Sequence, residues 1–229
     1  MLHRSLTLDF PDRSMPVILS RENNVFPPAR MSDEEGLLAI GGDLSVPRLI
    51  AAYRHGIFPW YEKAPILWWC PDPRFVLFPE RIRISHSMQK VLERGFFHIT
   101  VNKAFDEVIR HCSSIIRKGQ QGTWLNEEMI EAYKMMHRQG WAHSVEAWQG
   151  GRLAGGLYGI RMGKVFFGES MFSFQSNASK AAFITYVQQL KEEGCRLVDC
   201  QVYSGHLASL GAEMIPRDEF LSLLDGLIV

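Results

Sequence analysis

Between Ala142 and Ser173 the chain contains three strand-like runs, AHSVEAWQ, RLAGGLYGI and KVFFGESMFS, separated only by two tight links. The links are Gln149-Gly150-Gly151-Arg152 and Arg161-Met162-Gly163-Lys164, each with glycine where the backbone must reverse. Links this short join antiparallel neighbours, because a parallel pair needs a crossover of about a dozen residues or more. A meander of this kind therefore sets the architecture, and the other elements must pack around it.

The flanking segments alternate between helical and extended patterns. Upstream, SHSMQKVLERG reads as a helix with Met88 and Val91/Leu92 on one side, FFHITV as a strand, and NKAFDEVIRHCSSII as a second helix. GTWLNEEMIEAYKMMHRQG reads as a third, with Asn126 as its cap, Glu127 and Glu128 at its positive end and Gly140 as terminator. Downstream, NASKAAFITYVQQLKEEG is an amphipathic helix with Phe183, Tyr186/Val187 and Leu190 facing inward. The strand RLVDCQV, the short helix HLASLG and the segment IPRDEFLSLLDG follow. This order predicts an α+β domain with helices packed on a mostly antiparallel sheet, spanning 75–229.

Residues 1–74 look different and are expected to form a small, irregular domain rich in proline and aromatics. PRLIAAYRHG is helix-like, with Ser45 placed to cap it, Pro47 in its first turn and Gly56 closing it. Beyond it, Pro59, Pro65, Pro71 and Pro73 argue against regular elements. Tyr53, Phe58, Trp60, Trp68 and Trp69 crowd into the same region, either as a compact aromatic core or as a stacking platform for a base.

The chain is 46% apolar and 22% charged, with Lys+Arg and Asp+Glu at 25 each, so no net field recruits nucleic acid or an anionic membrane. A polyanion must be held by a local patch. The one available is a mildly basic strip, Arg74, Arg81, Arg83, His86, Lys90 and Arg94, which Glu80 and Glu93 interrupt. The four cysteines form no CxxC pair, and the histidines lack HExxH or similar spacing. There is no signal-like start and no apolar run of about 18 residues. These features predict a reduced, cytoplasmic protein with buried thiols, no membrane contact, no metal and no cofactor. GxSxG and P-loop patterns are missing, and no serine, cysteine or histidine is nominated as a nucleophile.

Chemistry is suggested by polar residues inside apolar strands. Asp199 and Gln201 share a face of RLVDCQV, since side chains two apart on a strand point the same way. Glu169 interrupts VFFGESMFS beside Gly168, which suggests a bulge or a close backbone approach. Each can be satisfied separately by backbone donors at a strand end. If the three converge, two carboxylates and an amide in an apolar wall suit an amine, the acids holding a cation while the amide or an acid orients or deprotonates the nitrogen.

Longer stretches add a resemblance. GLLAIGGDLSVPRLIAAYRHGIFPWYE, PILWWCPDPR, GTWLNEEMIEAYKMMHRQGWAHSVE, GESMFSFQSNASKAAF and LVDCQV…HLASLGAEMIPRDEF closely resemble, in order from about residue 36 to 220, the bacterial leucyl/phenylalanyl-tRNA–protein transferases. The resemblance implies transfer of leucine or phenylalanine from aminoacyl-tRNA to the α-amine of proteins beginning with Arg or Lys, a mark for N-degron proteolysis. It also implies an acyltransferase fold like that of acetyl-CoA-dependent N-acetyltransferases, and a monomer.

By position, Asp199 and Gln201 match the family's catalytic Asp-x-Gln, and Glu169 matches an acid that the resemblance assigns to the acceptor's N-terminal residue. Trp60 and Trp124 match aromatics that embrace the terminal adenosine, with Tyr53 and Tyr133 in the same motifs. Phe166, Met171, Phe183 and Tyr186 fall where the family lines its pocket for the transferred side chain. Arg83, His86, Lys90 and Arg94 stand on the helix expected to touch the tRNA backbone, although His86, Gln89 and Glu93 replace stronger bases there.

The implied reaction is direct aminolysis of the tRNA ester without a covalent enzyme intermediate. Gln201 would accept a hydrogen bond from the amine, and Asp199 would polarise or orient Gln201. A pocket that selects by shape separates similar apolar side chains weakly, so leakage to methionine is expected. Two rivals make different demands. A CoA-dependent acetyltransferase needs a glycine-rich pyrophosphate turn, and SFQSNASKAAF has no glycine. A non-catalytic RNA-binding module fits poorly with a net charge of zero.

Overall fold

The computed structural model describes residues 16–114 and 125–228. In chain order the elements are β1 (Val17–Leu19), β2 (Leu37–Gly41), α1 (Val46–Arg54), β3 (Phe58–Pro59), β4 (Leu67–Trp69), β5 (Arg74–Leu77), α2 (His86–Glu93), β6 (His98–Val101), α3 (Phe105–Ser114) and α4 (Glu127–Arg138). They continue with β7 (Ala142–Gln149), β8 (Arg152–Met162), β9 (Val165–Ser173), α5 (Ala178–Glu192), β10 (Leu197–Gln201), α6 (Gly205–Ser209), β11 (Glu213–Ile215) and α7 (Arg217–Leu227).

The meander forms as its turns require. β7, β8 and β9 pair antiparallel, and Gly150, Gly151 and Gly163 hold the positive φ that their turns need. They lie within a seven-stranded sheet of order β11-β5-β10-β9-β8-β7-β6. One of its pairings is parallel, β10 beside β9, with α5 as the crossover. The α+β class and the mostly antiparallel sheet are as expected.

Both faces of this sheet are covered. On one lie α5 and Met88 of α2, packed on Val145, Leu157, Phe166 and Val198. On the other lie α1, α3, α4 and α7, packed on Tyr158, Val165, Phe167 and Leu197. Asn126 caps α4 as predicted, its Oδ1 accepting from Met129 N at 3.0 Å. Ser45 sits at the cap position of α1 without a side-chain bond, and its own N–H donates to Asp43 instead. Among the described residues no helix is long and apolar enough to cross a membrane.

The proline-rich N-terminal region differs from expectation. Instead of irregular chain it holds a four-stranded sheet, β1-β2-β4-β3. Its strands are two to five residues long and fit between the prolines. Pro59 ends the edge strand β3, where a missing donor is tolerated. Tyr53, Phe58 and Trp68 are core, continuous with the α3/α4/α7 side of the large sheet, whereas Trp60 is 38% exposed. The core role considered for the aromatic cluster is thus filled by Tyr53, Phe58 and Trp68, while Trp60 stands partly open.

Candidate active site

The site lies where two neighbouring strands separate. β9 and β10 run side by side from the Val165–Leu197 pair to the Phe167–Asp199 pair and then part. On β9 the pairing with β8 slips, with Tyr158 opposite Ser170 and Gly159 opposite Gly168, so Glu169 is the extra residue of a bulge beside Gly168. On β10 the pairing with β5 slips between Asp199 and Gln201, and Gln201 takes a left-handed φ of 64°. A non-glycine residue in that conformation is strained and must be held by its surroundings. The separated strands leave a cleft of about 650 Å³, with residues 168–173 on one wall and 200–204 on the other.

Glu169 and Gln201 meet across this gap. Gln201 Nε2 donates to Glu169 Oε1 at 2.9 Å, which leaves the carboxamide oxygen as the acceptor end of the group. Two tyrosines hold the same carboxylate from the far side. The hydroxyl of Tyr53, on α1, lies 2.7 Å from Oε1, that of Tyr133, on α4, lies 3.0 Å from Oε2, and the two hydroxyls are 2.6 Å apart. Burial pushes the Glu169 carboxyl up to about 7, against the pull of the Tyr53, Tyr133 and Gln201 donors, and the nearby Asp199 charge adds to the rise. Both phenols are raised well above their usual value, first by burial and then by the charge of Glu169.

Asp199 has a different environment. It is fully buried and bound by Arg74 of β5 through two parallel contacts, Nε to Oδ1 at 2.8 Å and Nη2 to Oδ2 at 2.7 Å. Its Oδ1 also accepts the backbone N–H of Gln201 at 2.9 Å. The Arg74 guanidinium carbon lies 4.8 Å from the Phe58 ring centroid and 4.5 Å from that of Phe220. Asp199 therefore anchors the backbone of the strained residue and is not part of the cleft wall. The three polar residues converge, but only Glu169 and Gln201 present side chains to a ligand.

Several expectations are corrected by this geometry. Tyr53 and Tyr133 are buried at 1% exposure and hold Glu169, so neither is free to face an adenosine. Phe166 and Tyr186 are buried too, packed edge to face 5.1 Å apart beneath α5. Phe166 and Met171 face the same α5 side, but Phe166 lies where β9 is still paired with β10, whereas Met171 lies beyond their parting and lines the cleft with Phe183. Arg74 leaves the proposed basic strip, since it is interior and neutralised, and Arg81 is paired with Glu213. His86 and Lys90 are exposed on α2, as are Arg94 at its C-cap and Arg83 in the segment leading into it.

Trp60 lines the cleft, its backbone oxygen held by Trp69 Nε1 at 2.7 Å. Trp124 lies outside the described residues. Other cleft residues lacked a sequence signal, notably Tyr203 and His206. Arg74 could have been suspected only by asking which cation neutralises an acid in the middle of a strand.

The chain is similar to known proteins along most of its length. The family model described as leucyl/phenylalanyl-tRNA protein transferase matches residues 76–225, and the model of its N-terminal domain matches 42–72. A Flavobacterium johnsoniae protein named leucyl/phenylalanyl-tRNA–protein transferase is 58% identical over 200 residues, covering 87% of this chain and 94% of that one. A protein of the same name from Syntrophus aciditrophicus is 54% identical over 211 residues, covering 92% and 88%. Among solved structures, L-PGS from Bacillus licheniformis is a distant likeness, with a TM-score of 0.41 at 14% identity over 75% of this chain and 57% of that one.

Proposed function

This chain belongs to the leucyl/phenylalanyl-tRNA protein transferase family, and on that premise we propose how this aminoacyltransferase chooses and joins its substrates. It moves leucine or phenylalanine, and less well methionine, from aminoacyl-tRNA to the α-amine of proteins that begin with Arg or Lys. The product is marked for N-degron proteolysis in the cytoplasm. The enzyme works as a monomer, built from an N-terminal unit (1–74) and an N-acetyltransferase-like catalytic unit (75–229).

The observation that carries this reading is the Glu169–Gln201 pair facing an apolar cleft whose wall includes Trp60. Leu157, Met171, Phe172 and Phe183 offer the donor side chain an apolar surface. Trp60, with Trp124 as its counterpart, stacks the terminal adenosine. Arg83, His86, Lys90 and Arg94 meet the tRNA backbone along α2.

Gln201 accepts a hydrogen bond from the incoming nitrogen through its carboxamide oxygen. Asp199 positions it through the backbone N–H, and Glu169 meets the acceptor's N-terminal residue. Orientation supplies most of the rate, because aminolysis of an ester needs no covalent enzyme intermediate once the amine is neutral. The thiol of Cys200, also in the wall, is pushed far from ionisation by burial, which suits that route.

The test is transfer of labelled phenylalanine from Phe-tRNA to a protein with N-terminal Arg. Incorporation is expected with N-terminal Arg or Lys and not with an apolar N-terminus. Absence of transfer from both Phe-tRNA and Leu-tRNA, or efficient donation from Lys-tRNA, refutes the reading.

A further inference from the structure

Three oxygen-bearing groups form a closed ring beside the cleft. Tyr53 Oη and Tyr133 Oη are 2.6 Å apart, Tyr53 Oη is 2.7 Å from Glu169 Oε1, and Tyr133 Oη is 3.0 Å from Oε2. Each contact is a hydrogen bond only if one hydrogen lies in it. The two phenols bring two hydrogens to three contacts, and an ionised carboxylate brings none. With Glu169 ionised both phenols point at it, and the 2.6 Å contact between them holds no hydrogen.

One added proton closes the ring. Placed on Oε2, it donates to Tyr133, Tyr133 donates to Tyr53, and Tyr53 donates to Oε1. Placed on Oε1, the circuit runs the other way with the same result. The ring thus accommodates both states of Glu169: its donors support the carboxylate, and its closure supports the acid.

Other groups around Glu169 are poor competitors for that proton. Asp199 and Arg74 neutralise each other, Gln201 is an amide, and both tyrosines are held far from ionisation. Tyr61 stands beside Tyr133, with its own phenol raised by burial. His206, on α6 in the cleft wall, is lowered by burial, with Lys180 acting in the same direction.

The α-ammonium of an acceptor must lose a proton before its nitrogen can attack. Resting on the transferase reading above, we propose that Glu169, held in the ring with Tyr53 and Tyr133, is the general base that takes this proton. The ammonium N–H bond breaks, leaving a neutral amine and a Glu169 carboxyl. The amine forms a C–N bond to the ester carbonyl carbon, and the C–O bond to the ribose then breaks. The second proton on nitrogen passes to the leaving ribose oxygen through the neighbouring hydroxyl, and Glu169 returns its proton to water. The products are one amide, one deacylated tRNA and one released proton. With its carboxyl near 7, the group is about half ionised at neutral pH, a suitable poise for a base. Glu169 thereby reads the α-nitrogen of the acceptor's first residue, not its side chain.

The experiment measures single-turnover transfer from Phe-tRNA between pH 5.5 and 9 with two acceptors. One is an Arg-led peptide, and the other is the same peptide with an aminooxy group in place of the α-amine, whose weakly basic nitrogen stays largely uncharged across the range. In Glu169→Gln the rate to the ordinary peptide at pH 7 should fall by about 10²-fold, and the acid limb near pH 7 should give way to one set by the amine's own ionisation at about pH 8. The aminooxy peptide should lose little. Tyr53→Phe opens the ring but keeps the carboxyl, so an acid limb should persist at a displaced pH. Equal losses with both acceptors, an acid limb that stays near pH 7 in Glu169→Gln, or a limb unmoved in Tyr53→Phe overturns the proposal. In all of those cases wild-type transfer still supports the transferase reading. That reading fails separately if the wild type transfers nothing to the Arg-led peptide.

Discussion

Replacing Asp199 by alanine separates a direct chemical role from an anchoring one. The change strands the Arg74 guanidinium, which is fully buried, has Nη1 without a hydrogen-bond partner among the described residues, and lies against the Phe58 and Phe220 rings. Leaving one partner of a buried ion pair uncompensated costs about 3–5 kcal/mol. The Gln201 N–H is also deprived of its acceptor, a further ~1–3 kcal/mol. For a chain of this size each kcal/mol shifts the melting temperature by about 2–4 °C, so a fall on the order of 10–20 °C is expected.

Arg74→Met alone should cost a comparable amount, because it buries an unpaired carboxylate. The double variant Arg74→Met/Asp199→Asn removes both charges while the asparagine keeps an oxygen for Gln201. It should be more stable than either Asp199→Ala or Arg74→Met and should recover a large part of the transfer rate. Urea denaturation with calorimetry, alongside single-turnover transfer well below the lowest melting point, reads both quantities. The reasoning is refuted if the double variant costs as much as the two single changes together. It is also refuted if Asp199→Ala melts within a few degrees of wild type yet abolishes transfer, which would place the carboxylate in the chemistry itself.

Glu169 should leave a mark on stability as well. Its folded value of about 7 lies above the ordinary 4.5, so its contribution is complete below about pH 4.5 and is lost as pH rises to about 7. Against Glu169→Gln, the wild type should lose stability across that window with a slope below about 1.4 kcal/mol per pH unit. Parallel pH–stability curves for the two proteins would contradict this. On and beside α2, Arg83→Ala, Lys90→Ala and Arg94→Ala should weaken aminoacyl-tRNA binding additively and flatten its salt dependence by about 0.7–0.9 for each phosphate no longer neutralised. An unchanged salt slope in the triple variant would remove α2 from the tRNA interface.

Much of the architecture is legible in the sequence because it rests on short-range rules. Glycine-bearing links dictate the β7–β8–β9 meander, and Asn126 and Gly140 bound α4. An acid or amide inside an apolar strand singles out Glu169, Asp199 and Gln201. What the sequence alone could not decide is how those residues divide the work. The extra residue at Glu169 returns Met171 to the face that Phe166 shares, and the parting of β9 from β10 opens Met171 to the cleft while Phe166 stays beneath α5. Arg74 sits 125 positions from Asp199, and the two phenols that hold Glu169 come from helices 116 and 36 positions away. Register and long-range pairing arise only when the strands and helices pack together. Whether a buried charge reaches a substrate or is neutralised by a distant partner was therefore settled by the tertiary structure.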